Sequence, residues 1–105
     1  MLRKLGIIGG MSWVSTGSYY DRICRLVQKR AAPMVSPPLL IESLNFAELC
    51  AIREDEGWSR VASVLIDSAK RLEGAGAQGL IIGANSMHKV YDEVAESVAI
   101  PILHI

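Results

Sequence analysis

Short apolar runs that end in glycine alternate with longer helical patterns along this chain. Residues 5–8 form a continuous apolar run followed by the pair Gly9-Gly10, and residues 80–82 form another followed by Gly83. Such runs are typical of strands that are covered on both faces in a parallel sheet. Two further runs, at residues 39–44 and 101–105, complete a predicted set of four strands.

The segments between these runs carry apolar residues at helical spacing, with Ser15 or Thr16 predicted to cap the first helix. Residues 47–53 are expected to be short and helical at most. The resulting order, β-α-β-α-β-α-β, predicts a single α/β domain over residues 1–105, with a parallel sheet flanked by helices. The predicted apolar stripes are Tyr20, Ile23, Cys24 and Val27; Trp58, Val61, Leu65, Ala69 and Leu72; and Met87, Val90, Val94 and Val98.

Two glycine-marked strand exits are candidates for a ligand site. In open parallel sheets the crevice lies beyond the carboxyl ends of the strands, where the strand order reverses, so residues 9–12 and 83–86 should face each other. Residues 83–86 are predicted to run into a helix N-terminus, whose N–H groups and dipole favour a small carboxylate. For Gly9-Gly10 a tight turn that needs positive φ is an equally simple explanation.

Composition and charge exclude several classes of function. The chain has 11 basic and 11 acidic residues, so no net field favours nucleic acid or an anionic membrane. Its apolar runs are far shorter than the roughly 20 residues that cross a bilayer. The glycines fit neither a dinucleotide fingerprint nor a P-loop. Cys24 and Cys50 lack zinc-site spacing, so we expect no metal and reduced thiols. Residues 5–10 are too short and glycine-rich for the apolar region of a secretory signal, so we expect a cytoplasmic location.

Several separated motifs resemble the N-terminal half of the aspartate/glutamate racemase family. They are Gly-Gly-Met-Ser-Trp at residues 9–13, Ser15-Thr16, Tyr19-Tyr20, Asn-Ser-Met-His-Lys at 85–89, and Pro-x-Leu-His-Ile at 101–105. The resemblance covers essentially the whole chain and implies a flavodoxin-like half. Family members are pyridoxal-phosphate-independent isomerases about twice this length. Their active site lies between two similar α/β domains, each of which supplies one acid/base residue.

One position departs from that family at the catalytic motif. The motif usually reads Cys-Asn-Thr or Thr-Asn-Thr, whereas here it reads Ala84-Asn85-Ser86. Alanine carries no proton that it could exchange, so the catalytic position is chemically vacant. The resemblance thus implies a cofactor-free racemase domain for aspartate or glutamate that is inactive as this chain alone. The alternatives are a binding module for amino acids or dicarboxylates and a structural half-domain that pairs with another chain.

The resemblance also implies a set of substrate contacts. Arg53 matches a position that holds the distal carboxylate, but it could equally be a solvated arginine beside the acidic residues 54–56. His88 is either an accessory acid/base group or a residue that orients the loop. Trp13 and Trp58 are predicted to pack, with Trp13 able to wall the pocket. The implied contacts are Met11, Ser12, Thr16, Arg53, Asn85 and Ser86.

The final strand raises an expectation about partners. An apolar strand with no helix after it leaves sheet surface uncovered. We therefore expect either a homodimer, formed with facing crevice edges or a swapped terminal strand, or a missing C-terminal half. The expected small-molecule partner is an acidic amino acid.

Overall fold

Four parallel strands in the order β2-β1-β3-β4 form the centre of the fold. The computed structural model describes residues 2–103, and the side chains of residues 85 and 86 lie outside that description. The predicted α/β class is confirmed, with helices on both faces of the sheet. In chain order the elements are β1 Leu5–Gly9, α1 Trp13–Arg30, β2 Leu39–Ser43, α2 Phe46–Glu56, α3 Trp58–Gly74, β3 Gly79–Ile82, a 3₁₀ helix Asn85–Val90, α4 Tyr91–Ser97 and β4 Ile102–Leu103.

The strand order reverses between β1 and β3. From β1 the chain adds β2 on one side, and it then crosses to place β3 and β4 on the other side. Leu5 pairs with Leu39 in β2 and with Gly79 in β3, so the three strands begin in register, and β3 ends one residue before the other two. The reversal places the predicted crevice at the adjoining exits of β1 and β3.

The hydrophobic core lies between the sheet and the helices α3 and α4. Ile8, Leu80 and Ile82 point to this face, where they are fully buried together with Leu65 of α3 and Val94 of α4. Because side chains alternate along a strand, Ile7 and Gly9 point to the opposite face, which α1 covers. The alternation of side chains along the strands therefore explains why helices pack on both faces of the sheet.

Helix α1 differs from its prediction at both its cap and its buried face. Ser12, not Ser15 or Thr16, is the cap, because Ser12 has an extended backbone and its side chain accepts a hydrogen bond from the Ser15 N–H. Thr16 is the one buried residue of this helix. Tyr20, predicted to be buried, is 51% exposed because the described residues place no layer over that side of α1.

Three other elements differ in extent from the sequence prediction. Helix α2 has eleven residues instead of the seven expected. It begins at Phe46, one residue before the predicted start, where the Asn45 side chain caps it, and it continues to Glu56, after which Gly57 ends it. The third predicted helix is divided into a 3₁₀ helix and α4, with the change at Val90. Strand β4 has two residues, and the predicted positions 104 and 105 lie outside the described residues. Among the described helices, none is long and apolar enough to cross a membrane.

A salt bridge joins the edge strand β2 to helix α3. Arg71 Nη2 lies 2.6 Å from Glu42 Oε1, and Arg71 Nε lies 2.8 Å from Glu42 Oε2. This bidentate hydrogen bonding by Arg71 holds the pKa of the Glu42 carboxyl below its ordinary value of 4.5. The ionised pair therefore stabilises the fold above pH 4.5, and that contribution is lost as pH falls through the lowered pKa.

Replacing Glu42 with Gln should reveal this linkage. At pH 7 we expect the free energy of unfolding to fall by about 0.5 kcal/mol, the scale of an exposed ion pair, and the difference from wild type to shrink as pH falls below 4.5. Urea unfolding across pH measures both effects, with Glu96→Gln as the control. An equal difference between Glu42→Gln and wild type at all pH values would contradict the assignment.

Candidate functional site at the exits of β1 and β3

Backbone hydrogen bonds fasten three strand exits together. The Gly83 N–H donates to the Ile8 carbonyl at 2.9 Å, which extends the β1–β3 pairing past the end of β3. On the other side, the Leu44 N–H donates to the Gly9 carbonyl at 2.8 Å. The segments that follow β1, β2 and β3 therefore start from one rigid edge, and the two predicted loops adjoin as expected.

Thr16 fixes the turn that leaves β1. Its hydroxyl accepts a hydrogen bond from the Gly10 N–H at 3.0 Å and donates to the Ser12 carbonyl at 3.2 Å. Gly10 has φ +83°, and a Cβ there would lie 2.5 Å from backbone atoms of Leu44. Gly10 thus has the positive φ that the tight-turn explanation requires, whereas Gly9 is the last residue of β1. The Thr16 hydroxyl is committed to this turn, whereas Ser12 is exposed at the rim.

Three buried apolar side chains in the segments that follow the strands are called the apolar floor of the strand exits. Met11, Leu49 and Met87, from the segments that follow β1, β2 and β3, are each no more than 4% exposed and belong to the main hydrophobic core. Because the Met11 side chain is buried, any contact of this residue with a ligand would come from its backbone.

The exit of β3 differs from the expected α-helical N-terminus. Ala84 is half-buried with an extended backbone, and a six-residue 3₁₀ helix begins at the next residue. The prediction of an α-helix dipole at this point is wrong, because the 3₁₀ turn is short and its bonds are poorly aligned. The N–H groups of Gly83 and Met87 bind the Ile8 and Ala84 carbonyls.

His88 faces back toward the sheet. Its Nε2 atom lies 3.2 Å from the Ile82 carbonyl, and its ring stacks on Tyr91 with the centroids 5.9 Å apart. A ring held in this way supports the loop that follows β3. Of the two roles open from sequence, the geometry favours orientation of the loop over acid/base chemistry.

Arg53 and Lys89 lie beside the same tryptophan. The Arg53 Cζ atom is 5.9 Å from the centroid of the Trp58 ring, and the Lys89 Nζ atom is 5.1 Å from it. Trp58 is half-buried against the core, as its predicted packing role requires. Arg53 and the 3₁₀ helix that follows the Ala84 loop therefore share Trp58 as a neighbour, although the two segments lie more than thirty residues apart in sequence.

Sequence reasoning missed Lys89, because no helical or strand spacing relates it to Arg53. Trp58 was expected only to pack, and its two cationic neighbours depend on tertiary structure.

Trp13 is 76% exposed, so its predicted packing is wrong; the described residues place no element over it. Asn85 and Ser86 have side chains outside the described part, so their roles stay predictions. The described residues contain no cluster of three or more His, Cys, Asp or Glu side chains arranged for a metal.

Comparisons with known proteins agree with this geometry. Residues 8–105 match the family model described as Asp/Glu/Hydantoin racemase. The chain belongs to this racemase family. It is 27% identical over 106 residues to the broad specificity amino-acid racemase RacX of Bacillus subtilis (strain 168), a match that spans 96% of this chain and 45% of RacX.

Two solved structures of the racemase family have the same fold. One is a Yersinia pestis protein assigned to the Asp/Glu racemases, with a TM-score of 0.94 and 34% identity over 98% of this chain and 45% of that protein. The other is PH1733, an aspartate racemase homologue from Pyrococcus horikoshii OT3, with a TM-score of 0.89 and 36% identity over 97% of this chain and 44% of that protein. The chain spans less than half the length of these racemase relatives.

The turn after β1 gives a stability prediction with an internal control. Gly10→Ala should lower the free energy of unfolding by about 1–3 kcal/mol, because alanine is strained at positive φ and its Cβ meets Leu44. Gly17 lies in α1 with open space around it, so Gly17→Ala should raise stability by up to about 1 kcal/mol. The urea concentration at the midpoint of unfolding is measured for both variants and for wild type. Equal midpoints for Gly10→Ala and wild type would show that the turn tolerates a side chain.

Proposed function

We propose that this chain is the N-terminal, substrate-binding half of a cofactor-independent amino-acid racemase that acts on aspartate or glutamate. The observation that carries the proposal is the junction of the β1 and β3 exits in a chain of the racemase family. Ser12 at the rim and residues 84–86 are the proposed contacts for the amino-acid backbone of the substrate. Arg53 is the proposed contact for its second carboxylate.

The reaction explains why such a half-site needs a partner domain. Racemisation removes a weakly acidic proton from one face of Cα and returns a proton to the other face, so two acid/base groups must flank the substrate. The carbanion must be stabilised by hydrogen-bond donors directed at the α-carboxylate in a site closed to water. One rigid crevice can supply the donors and one face, while the second domain of a longer racemase supplies the opposite face.

Ala84 makes this half-site chemically incomplete. It occupies the position of the family's catalytic Cys or Thr, at the start of the loop after β3, and its methyl group can neither accept nor donate a proton. We therefore propose that the chain binds acidic amino acids without inverting them. RacX is described as having broad specificity, so this relative does not indicate which amino acids the chain would bind. Our choice of acidic substrates rests instead on Arg53 and the residues around it.

Isotope exchange tests the proposed lack of catalysis. Incubated in D₂O with L- or D-aspartate, the wild-type chain should exchange the Cα proton no faster than buffer, because no proton carrier stands at residue 84. Proton NMR follows the Cα signal. Exchange above the buffer rate would contradict the proposal and indicate another base, which His88→Gln would then test.

Ligand binding tests the location of the site. Acidic amino acids should bind in roughly the millimolar range expected for a few hydrogen bonds in an open half-site. Asn85→Leu should abolish the amide shift changes at residues 83–87. Gln28→Leu removes a similar amide from the exposed side of α1 and should leave the titration unchanged. Unaltered binding by Asn85→Leu would place the ligand elsewhere.

A second candidate, a structural half that pairs with another copy, is favoured by the uncovered face around α1. A groove of about 530 Å³ on this helix is lined by Leu2, Ile23, Leu26, Val27, Arg30 and Ala31. On the same face of the sheet, Ile41 is 39% exposed and Leu103 is 56% exposed. Apolar area of this kind usually lies against another protein surface.

Light scattering across a dilution series tests the pairing. We expect a homodimer in which copies cover this apolar face, with dissociation of the dimer at least tenfold easier in Leu26→Arg. Gln28→Arg adds the same charge two residues away and should leave the dimer intact. A fully folded monomer of the wild-type chain at micromolar concentration would rule out this candidate.

A further inference from the structure

The groove on α1 combines apolar lining residues with one charged residue, Arg30. Its four lining residues within the helix recur at i, i+3, i+4 and i+7, so they share one face of the last turns of α1. These residues are Ile23, Leu26, Val27 and Arg30. Leu2, which precedes β1, also lines the groove. The groove therefore lies between the end of α1 and the segment that leads into β1.

Hydrogen bonds hold both of these segments in place. The Ala31 N–H donates to the Val27 carbonyl at 2.9 Å and completes the last turn of α1. The Lys4 N–H donates to the Gln78 Oε1 atom at 2.8 Å, and the Gln78 N–H donates to the Lys4 carbonyl at 2.6 Å. The segment that carries Leu2 thus ends at a fixed point. The groove has a volume of about 530 Å³, which is typical of small-molecule sites.

Positive charge surrounds the groove. Arg30 is exposed, and it belongs to none of the ion pairs found within residues 2–103. Lys29 lies beside it in the last turn of α1, and Arg3 and Lys4 directly follow Leu2. In the described part of the chain, no acidic side chain lines the groove. These full charges outweigh the partial charge of about −0.5 at a helix C-terminus, so an anionic ligand is favoured.

We propose that the groove on α1 binds an aliphatic carboxylate, with its carboxylate on Arg30 and its hydrocarbon chain along the apolar residues. An apolar groove alone would accept any hydrocarbon, whereas the planar guanidinium of Arg30 can pair with both oxygens of a carboxylate. Leu2 and Leu26 are 46% and 53% exposed, so the chain of the ligand would cover apolar area that water now contacts.

This site is separate from the proposed amino-acid site. Helix α1 runs from the exit of β1 to the segment before β2, so its last turns lie at the amino ends of the parallel strands. The exits of β1 and β3 lie at the opposite edge of the sheet. Failure of either site would therefore leave the other one standing.

Decanoate and decyltrimethylammonium test the charge preference, because they have the same hydrocarbon chain and opposite charges. Amide NMR titrations of the full chain, below the micelle concentration of each compound, give the dissociation constants and locate the ligand. We expect decanoate to bind about tenfold more tightly, as is typical of one charge-assisted contact, with shifts at residue 2 and residues 23–31. Octanoate is two CH₂ groups shorter and should bind about tenfold more weakly than decanoate.

Variants separate charge recognition from the apolar contact. Arg30→Met removes the charge and keeps an unbranched side chain, so it should weaken decanoate about tenfold and change decyltrimethylammonium less than twofold. Lys29→Met removes an equal charge from a residue that does not line the groove, and it should weaken decanoate about twofold at most. Leu26→Ser should weaken both compounds equally, because it removes part of the apolar wall and no charge.

Other occupants of the groove would give different results. The titrations are made at a protein dilution where light scattering shows a monomer. A dimer that persists at every dilution and in excess decanoate would show that a second copy fills the groove, and would overturn the proposal. Equal binding of the two compounds, or decanoate shifts confined to residues outside the groove, would also overturn it. So would binding to phosphatidylglycerol vesicles without binding of free decanoate, which would identify a membrane surface instead.

Discussion

The hydrogen bond from the Gly83 N–H to the Ile8 carbonyl holds the site together. It continues the β1–β3 pairing beyond the last residue of β3, at the point where the strand order reverses. The bond fixes the start of the Ala84 loop against the Gly9-Gly10 turn, which Thr16 locks from the other side. Because both loops begin from one rigid edge, the sheet positions the ligand contacts that we propose on them, and binding would not need to order the loops.

The source of positive charge at this site differs from a simple helix N-terminus. A short 3₁₀ turn follows Ala84, so its backbone supplies local donors and little macrodipole. Arg53 and Lys89 each carry a full charge within 6 Å of the Trp58 centroid, and Lys89 belongs to the 3₁₀ helix that follows Ala84. Backbone donors suit the α-carboxylate common to all amino acids, and side-chain cations suit the carboxylate that distinguishes acidic ones. Binding and selectivity would then depend on separate parts of the fold.

Much of the fold was predictable because the strands of a parallel sheet are continuous apolar runs with glycine at their exits. β1, β3 and the crevice between them follow from residues 5–10 and 79–83 alone. The cap of α1 was misassigned because Ser12, Ser15 and Thr16 are all good capping residues, and only the backbone geometry selects Ser12. The meeting of Arg53 and Lys89 at one ring could not be read from sequence, because long-range side-chain contacts have no periodic signal.

A structure of this chain with bound L-aspartate, by crystallography or intermolecular NOEs, tests the central claim most directly. The account predicts the amino-acid backbone of the ligand between Ser12 and residues 84–86, over the floor that contains Met11 and Met87. It predicts the side-chain carboxylate of the ligand next to Arg53. Aspartate bound away from the exits of β1 and β3, for example in the groove on α1, would contradict it.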